Sequence, residues 1–278
     1  MVGSARGTPY DRPMPVPTGH EVLAAVLQVR ACTLQVLLWQ RGREPDRGRW
    51  ALPGGRLGDT EDVEESVRRQ LAEKVDVREV AHVEQLGVFS APNRVPGARL
   101  VATSFLGLVP SDADPEIPAD TAWYPVEDLP ATAFDHAEIV RDARDRLRAK
   151  LSYTNLGFAL APREFTVSAL RELYAAALGH PVSATNLQRV LTRRGVLAAT
   201  GETSPPGPAG GRPAALFRFT ERALRVTDAS AVLRPPGGRE AERAEPTLGA
   251  EAERAEPTLG AEAERAKSAG GPDPRPVP

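Results

Sequence analysis

The stretch that most constrains this chain is Trp50-Ala-Leu-Pro-Gly-Gly-Arg-Leu-Gly-Asp-Thr-Glu61, which runs on toward Val77. Its apolar start reads as a buried strand, Gly54 and Gly55 as a tight turn, and the remainder as the entry to a helix. Thr60 is placed to cap that helix, with Glu61 in the first turn, where the helix dipole favours a carboxylate. Val63, Val67, Leu71 and Val75 recur every four residues and form one apolar stripe. At about 100° per residue, positions 70, 73 and 74 share one flank of that stripe.

The spacing of this block resembles a Nudix box: Gly55, five residues, Glu61, seven residues, then Arg69-Gln-Leu-Ala-Glu73-Lys-Val-Asp-Val77. Gly55, Glu61, Arg69, Leu71, Glu73 and Val77 match the family pattern; Gln70, Lys74 and Asp76 depart from it. The resemblance implies an α/β (α+β) fold, an α/β/α sandwich around a mixed sheet. It also implies helix carboxylates that hold divalent cations against the pyrophosphate of a nucleoside diphosphate joined to another group. Mg²⁺ takes oxygen ligands and neutralises charge on the phosphoryl oxygens. The family places Glu at positions 70, 73 and 74, whereas this chain keeps Glu73 alone. Gln70 offers a neutral amide oxygen, and Lys74 brings a positive charge to a ligand position. A close charge pair is worth roughly 1–4 kcal/mol at intermediate dielectric, so cation binding should weaken substantially. The expectation is a fold that binds its ligand and cleaves it poorly or not at all. No catalytic set is intact, Glu73 is a weak metal ligand, and no cofactor is required. Mg²⁺ would be needed if hydrolysis persists, and Glu64 or Glu65 could then supply a missing carboxylate.

Residues 1–18 are rich in Gly and Pro and read as a flexible arm. A ligand-binding domain is expected over 19–152. Glu21 to Val29 and Leu34 to Gln40 read as strands joined by a turn at Arg30-Ala-Cys-Thr33. Arg41, Arg43, Arg47 and Arg49 follow, just before the glycine turn. Arg is the natural bidentate partner of phosphate, so Arg41, Arg43 and Arg49 join Gly54 and Gly55 as ligand-binding candidates. After the helix, His82 to Phe89 and Arg99 to Val109 read as strands. Glu84-Gln-Leu-Gly-Val-Phe89, with Pro92 and Arg94, is similar to a stretch of ADP-ribose-recognising Nudix proteins, which adds Arg94 to the ligand set. The continuation there is nearer Asp-Pro-Arg than the Arg94-Val-Pro-Gly97 found here. Trp123 reads as a core residue in the last strand. Asp135 to Leu151 reads as a helix with Ile139, Ala143 and Leu147 inward, and His136 as a packing histidine.

Tyr153 to Glu164 lacks a period and reads as a linker. A second module is expected over 160–226. Thr166 caps a helix with Leu170, Leu173, Tyr174, Ala177 and Leu178 on one face, ended by Gly179 and Pro181. Ser183 caps a second helix, with Leu187, Val190 and Leu191 inward. Helix, short turn, helix is the geometry in which the second helix enters the major groove of double-stranded DNA. Asn, Gln and Arg read base edges, so Thr185, Asn186, Gln188, Arg189 and Arg193 are candidate DNA contacts. Val196 to Thr200, a Gly/Pro-rich loop and Arg212 to Phe219 make a hairpin wing, with Arg212 as a further DNA contact.

Both modules together, from about residue 20 to 220, resemble the Nudix-related transcriptional regulators of NAD metabolism. The resemblance lies in Phe165-Thr-Val-Ser-Ala-Leu-Arg-Glu-Leu-Tyr174, Leu178-Gly-His-Pro181, Asn186, Arg189 and Gly210-Gly-Arg-Pro-Ala214-Ala-Leu-Phe-Arg-Phe219. It implies a homodimeric repressor that senses ADP-ribose or a related nucleotide. Ala184, Thr185 and Gln188 make this recognition helix less basic than is usual in the family, and phosphate contacts dominate non-specific affinity. Two alternatives stay open: an active pyrophosphatase on ADP-ribose or another nucleoside diphosphate derivative, or a regulator whose effector is a sugar or sugar phosphate.

Composition bounds the rest. A net charge of −2 announces no general nucleic-acid affinity, and one Cys, Cys32, excludes a disulfide framework. No run is apolar enough to span a bilayer and no signal peptide is evident, so a cytoplasmic location is expected. Residues 227–278 read as a disordered tail: Ala241-Glu-Arg-Ala-Glu-Pro-Thr-Leu-Gly-Ala-Glu251 repeats almost unchanged, and Pro246 and Gly249 break any helix in each unit.

Overall fold

The computed structural model describes residues 18–75, 80–205 and 213–228. The expected arm before residue 18 and the repeats after residue 228 lie outside these. The first half is a mixed seven-stranded sheet. Strands β1 (Gly19–Arg30), β2 (Thr33–Gln40), β3 (Trp50–Ala51), β4 (Gly54–Arg56), β5 (His82–Phe89), β6 (Leu100–Leu108) and β7 (Thr121–Pro125) make it up. The order is β3-β2-β1-β6-β5, with β4 also on β1 and β7 also on β2. β1 and β6 run parallel and the other pairs antiparallel. Two helices flank the sheet, α1 (Val63–Val75) and α2 (His136–Tyr153).

Alternation along β1 divides the core between the helices. Val22, Ala24 and Val26 pack with Val67 and Leu71 of α1. Leu23, Ala25, Leu27 and Val29 pack with Ile139, Val140, Ala143, Leu147 and Leu151 of α2. A strand buried on both faces shows this as an unbroken apolar run. The turn between β1 and β2 holds Ala31 and Cys32 at φ of 45° and 58°. Two consecutive positive φ values match the right-handed twist of a tight hairpin.

α1 begins differently from the sequence reading. Asp62, not Thr60, caps it: its Oδ1 accepts the Glu64 and Glu65 N–H groups, both at 2.9 Å, and Glu65 Oε2 accepts the Asp62 N–H at 3.0 Å. That reciprocal arrangement is a capping box. Glu61 therefore precedes the helix instead of lying in its first turn.

The second half contains β8 (Phe165–Thr166), α3 (Val167–Leu178), α4 (Ala184–Arg193), β9 (Leu197–Thr203) and β10 (Ala215–Phe219), with sheet order β8-β10-β9. Thr166 and Ser183 cap the two helices by accepting from the Ala169 and Asn186 N–H groups, and Gly179 ends α3 at φ 77°. This is a winged helix.

The segment expected to be a linker is instead the joint. Leu156–Ala159 forms a 3-10 turn, and every residue from Leu156 to Ala161 is buried. These side chains share one apolar cluster with α2 on one side and with Leu170, Leu173 and Tyr174 of α3 on the other. Gly157 admits this approach, because a Cβ there would sit 2.4 Å from the Tyr174 hydroxyl. Polar ties reinforce the joint: Arg194 donates to the Ser152 carbonyl, and Arg148 bridges the Ala177 carbonyl and Glu127. Asn155 clamps the chain beyond the wing through Ala223 and Arg225, and Thr227 N–H reaches the Tyr153 carbonyl.

Candidate functional site

A cleft of about 790 Å³ opens beside the glycine turn, lined by Trp39, Gln40, Arg41, Gly42, Arg43, Arg47, Gly48, Lys74 and Asp120. The end of β2, the arginine-bearing loop after it and the last turn of α1 build it. Of the expected ligand residues, Arg41 and Arg43 line the cleft. Arg41 is held in place by the Phe134 ring, 4.6 Å from its guanidinium carbon, and by its bond to the Pro45 carbonyl. Arg49 lies aside, paired with Asp46 and bonded to the Thr132 carbonyl.

Gly54 and Gly55 do not line the cleft; they lie behind Lys74, whose ammonium reaches the Gly54 carbonyl. A Cβ at Gly54 would lie 2.1 Å from the Val22 carbonyl oxygen, so only glycine lets β4 pass so close to β1. A Cβ at Gly55 would meet the Gln70 amide at 2.7 Å. Gln70 is thus packed beneath the turn at 5% exposure, and its Oε1 has no hydrogen-bond partner among the described residues.

The charged groups on the same flank form a closed set. Arg69 grips Glu61 with two nitrogens, at 2.6 and 2.8 Å, and Glu73 with a third, at 3.0 Å. The hydrogen bonds from Arg69 and from the Gly58 N–H hold Glu61 down at about 2, so it is ionised at any physiological pH. Lys74 donates from Nζ to the Gly54 carbonyl and lies over Trp39, with 5.7 Å to the ring centroid. Lost hydration, together with the charge of Arg69, lowers its pKa. The substitute carboxylates are engaged as well: Glu64 pairs with Arg68, and Glu65 closes the capping box.

These residues do not fit a magnesium cluster. Glu61 is held by Arg69 through both oxygens, Glu73 is exposed and bonded to Arg69 through Oε2, Gln70 is neutral, and an ammonium stands at the remaining ligand position. No group of three or more His, Cys, Asp or Glu suited to a metal occurs among the described residues.

Arg94, expected in the ligand set, does not line the cleft. Its side chain is 0% exposed, and its guanidinium is bound by Asp135 at 2.8 Å on two nitrogens and by Glu21 at 2.5 Å. Burial opposes its charge, but the bonds to Asp135 and Glu21 outweigh that and raise its pKa. It is a buried strut, with no face turned to a ligand. His136 is likewise interior: Nδ1 accepts the Leu52 N–H at 2.9 Å, and burial pushes the ring down to about 3, keeping it neutral. Trp123 is partly buried against the core, under the Arg30 guanidinium.

In the winged helix, Thr185, Asn186, Arg189 and Arg193 are exposed on α4, and Gln188 is partly so. Leu187 and Leu191 anchor the opposite face. Arg189 donates to Asn186 Oδ1 at 2.8 Å, which pre-orders two of the side chains able to read bases. Arg212 lies outside the described residues.

A mixed-sheet sandwich bearing an arginine-lined cleft, joined through a buried turn to a winged helix with a polar face on α4, defines a Nudix-type domain fused to a winged helix. The NUDIX domain family matches residues 19–143, and the NrtR DNA-binding winged helix domain matches residues 157–219. The ADPR-responsive transcriptional repressor NtrR of Acinetobacter baylyi is 31% identical over 219 residues, covering 75% of this chain and 84% of the relative. The crystal structure of Shewanella oneidensis NrtR complexed with a 27mer DNA superposes with a TM-score of 0.61 at 31% identity, over 72% of this chain and 92% of that one. A MutT/nudix family protein from Enterococcus faecalis has a TM-score of 0.59 at 26% identity, over 76% and 90% of the two chains. This chain belongs to the NrtR family of Nudix-related transcriptional regulators.

Proposed function

We propose that this protein is a DNA-binding transcriptional repressor of NAD or related nucleotide metabolism that responds to ADP-ribose, acts as a homodimer and works in the cytoplasm. The observation that carries the reading is the union, in one chain, of a basic nucleotide-sized cleft without a cation-binding carboxylate set and an exposed recognition helix. The relatives named for DNA and for ADP-ribose response support it, and among the described residues no helix is long and apolar enough to cross a membrane.

In this reading α4 enters the major groove, Asn186 and Gln188 address adenine edges, and Arg189 addresses guanine. Arg41 and Arg43 hold the diphosphate of the effector. Cleavage is slow or absent because no metal cluster forms. Strand β2 gives the two sites a common part. Its end, Trp39-Gln40, lines the cleft, while its start, Thr33-Leu34, faces Ala175, Ala176 and Gly179 at the end of α3 across a small cavity. Eight residues of strand span about 25 Å at roughly 3.3 Å each, so a shift at the ligand reaches the winged helix along one rigid element. Differential affinity of effector for the two spacings of paired winged helices then sets operator occupancy.

A gel shift on the protein's own promoter region, with and without ADP-ribose, tests this. Binding that ADP-ribose alters is expected; no retarded band on any promoter fragment defeats the reading. Metal-dependent release of AMP from ADP-ribose, abolished by Glu73→Gln, would instead establish the hydrolase alternative.

A further inference from the structure

We propose that Lys74 is a built-in replacement for the divalent cation: its ammonium binds the diphosphate of the effector, so that ligand recognition requires no metal. This deepens the ADP-ribose reading and rests on it for the identity of the ligand, but not for its chemistry.

Three observations converge. The first is position. Lys74 occupies a helix site where the family pattern has a cation-binding Glu, and it lines the cleft with Arg41, Arg43 and Arg47. The second is placement. The Gly54 carbonyl takes one ammonium proton, and the Trp39 ring lies against the charge. Trp39 is itself pinned by its indole N–H to the Leu52 carbonyl at 3.0 Å. A lysine left to solvent pays side-chain entropy to grip a ligand; one tethered in this way has already lost that freedom. The third is charge. Among its lining residues the cleft carries Arg41, Arg43, Arg47 and Lys74 against one carboxylate, Asp120, while Glu21 and Glu73 act on Lys74 from outside the lining. The lining's surplus of three positive charges exceeds the two negative charges of a nucleoside diphosphate ester. A bridging Mg²⁺ would add two more, beside an ammonium that repels it.

The arrangement also explains the fate of the surviving acidic residues. Glu61 and Glu73 both pair with Arg69, which offsets their charge beside the cleft. Gln70 fills space under Gly55 as a neutral amide. Two substitutions that look like separate losses, Gln70 and Lys74, thus compose one site, in which the positive charge is covalently attached and cannot be chelated. A lysine is a point charge with rotatable donors, well matched to a phosphate oxygen, whereas the flanking arginines contribute bidentate contacts.

Calorimetric titration of the full chain, in EDTA and in excess MgCl₂, tests the proposal with ADP-ribose, ADP and inorganic pyrophosphate as probes. Wild-type affinity is expected to be the same within about twofold in both buffers. Lys74→Met should weaken diphosphate binding by about tenfold or more, equivalent to about 1.4 kcal/mol. Lys74→Glu should bind only when Mg²⁺ is present, because it returns a carboxylate to the ligand position. ADP-ribose binding by wild type that requires Mg²⁺, or Lys74→Met binding as tightly as wild type, overturns the inference while leaving the effector reading intact. ADP or pyrophosphate binding in EDTA without ADP-ribose binding overturns the effector reading and leaves the role of Lys74 standing. Failure of every diphosphate in both buffers overturns both.

Discussion

Gly157→Ala tests whether the two halves are keyed to each other by shape. A Cβ at this position would lie 2.4 Å from the Tyr174 hydroxyl oxygen, 2.8 Å from Cζ and 2.9 Å from Cε2. Ordinary carbon contacts begin near 3.5 Å, so the ring must retreat by about 1 Å. It has nowhere to go, since Tyr174 is 3% exposed and Phe158 beside the glycine is 1% exposed. Overpacking of this kind costs about 1–3 kcal/mol. The phenol supplies an internal control. Its hydroxyl has no hydrogen-bond partner among the described residues, and burial holds its pKa far above the usual range. Tyr174→Phe should therefore be neutral or stabilising by up to about 1 kcal/mol, because removing an unpaired buried polar group recovers its desolvation penalty. In the double mutant the 2.4 Å contact is gone but the 2.8 Å contact remains, so the alanine should cost about half as much. Urea unfolding monitored by tryptophan fluorescence and circular dichroism measures all four corners of the cycle. Fluorescence reports the sheet domain, because Trp39, Trp50 and Trp123 all lie there, whereas circular dichroism also reports the winged helix. Gly157→Ala should separate the two transitions. A cost below about 0.5 kcal/mol, or a strictly additive cycle, would refute the argument.

Arg94→Met should destabilise the protein by about 2–4 kcal/mol, somewhat less than for a fully buried pair, as it leaves the partly buried Glu21 and Asp135 without their cation; chemical denaturation measures this, and a loss of ligand affinity at unchanged stability would restore Arg94 to the ligand set. Stability should fall on acidification from pH 7 to pH 4. The unfolded His136 ring takes a proton below its ordinary 6.5, while the folded ring stays neutral down to about 3, so the unfolded state binds more protons throughout that window. At about 1.4 kcal/mol per pH unit the loss by pH 4 is about 3 kcal/mol, and His136→Gln should flatten that slope in melts taken across the range. Glu84, whose burial is outweighed by hydrogen bonds from His82 and Lys150 that hold it at about 2, adds a further loss below its ordinary 4.5. On DNA, Arg189→Ala should cost about 1–3 kcal/mol and relax the preference at one base position, whereas Arg193→Ala should lower the salt dependence by about one unit without changing preference; footprinting titrations at several salt concentrations separate the two.

The helices are legible in the sequence because each turns one face to the core, and β1 because burial on both faces gives an unbroken apolar run. Val63, Val67 and Leu71 of the α1 stripe fall in one apolar cluster, and alternate residues of β1 divide between the two. The caps at Thr166 and Ser183 and the glycine end of α3 follow from residue chemistry alone. What is not legible is burial of polar groups and burial from two sides at once. Arg94 and the exposed arginines look alike in sequence, and only the carboxylates brought from β1 and α2 make one of them interior. Thr60 and Asp62 are both capable caps, and Glu65, three residues after Asp62, was the available signal for choosing between them. The turn at Leu156–Ala159 has no amphipathic period because both domains cover it, so an apolar stretch broken by Pro162 imitates a linker.

That joint restricts how a signal can pass. If the winged helix hung from a flexible tether, ligand in the cleft could act only by blocking or freeing it as a whole. Here Leu156, Phe158 and Leu160 are fully buried between α2 and α3. Exposing even one of them costs about 1.5–3 kcal/mol, comparable with the coupling energies by which effectors act. Detachment of the winged helix is thus too costly to be the switch. A small rigid rotation that kept the apolar contacts would need to shift only polar ties such as those of Arg148 and Arg194. In a dimer, such a rotation changes the separation of two recognition helices while leaving each one folded. Each winged helix should therefore retain its intrinsic, salt-sensitive affinity for a single half-site whether or not ligand is bound, and the effector should alter only binding to paired half-sites. Equal effects of ADP-ribose on one-half-site and two-half-site DNA would show that the ligand disorders the winged helix instead of reorienting it.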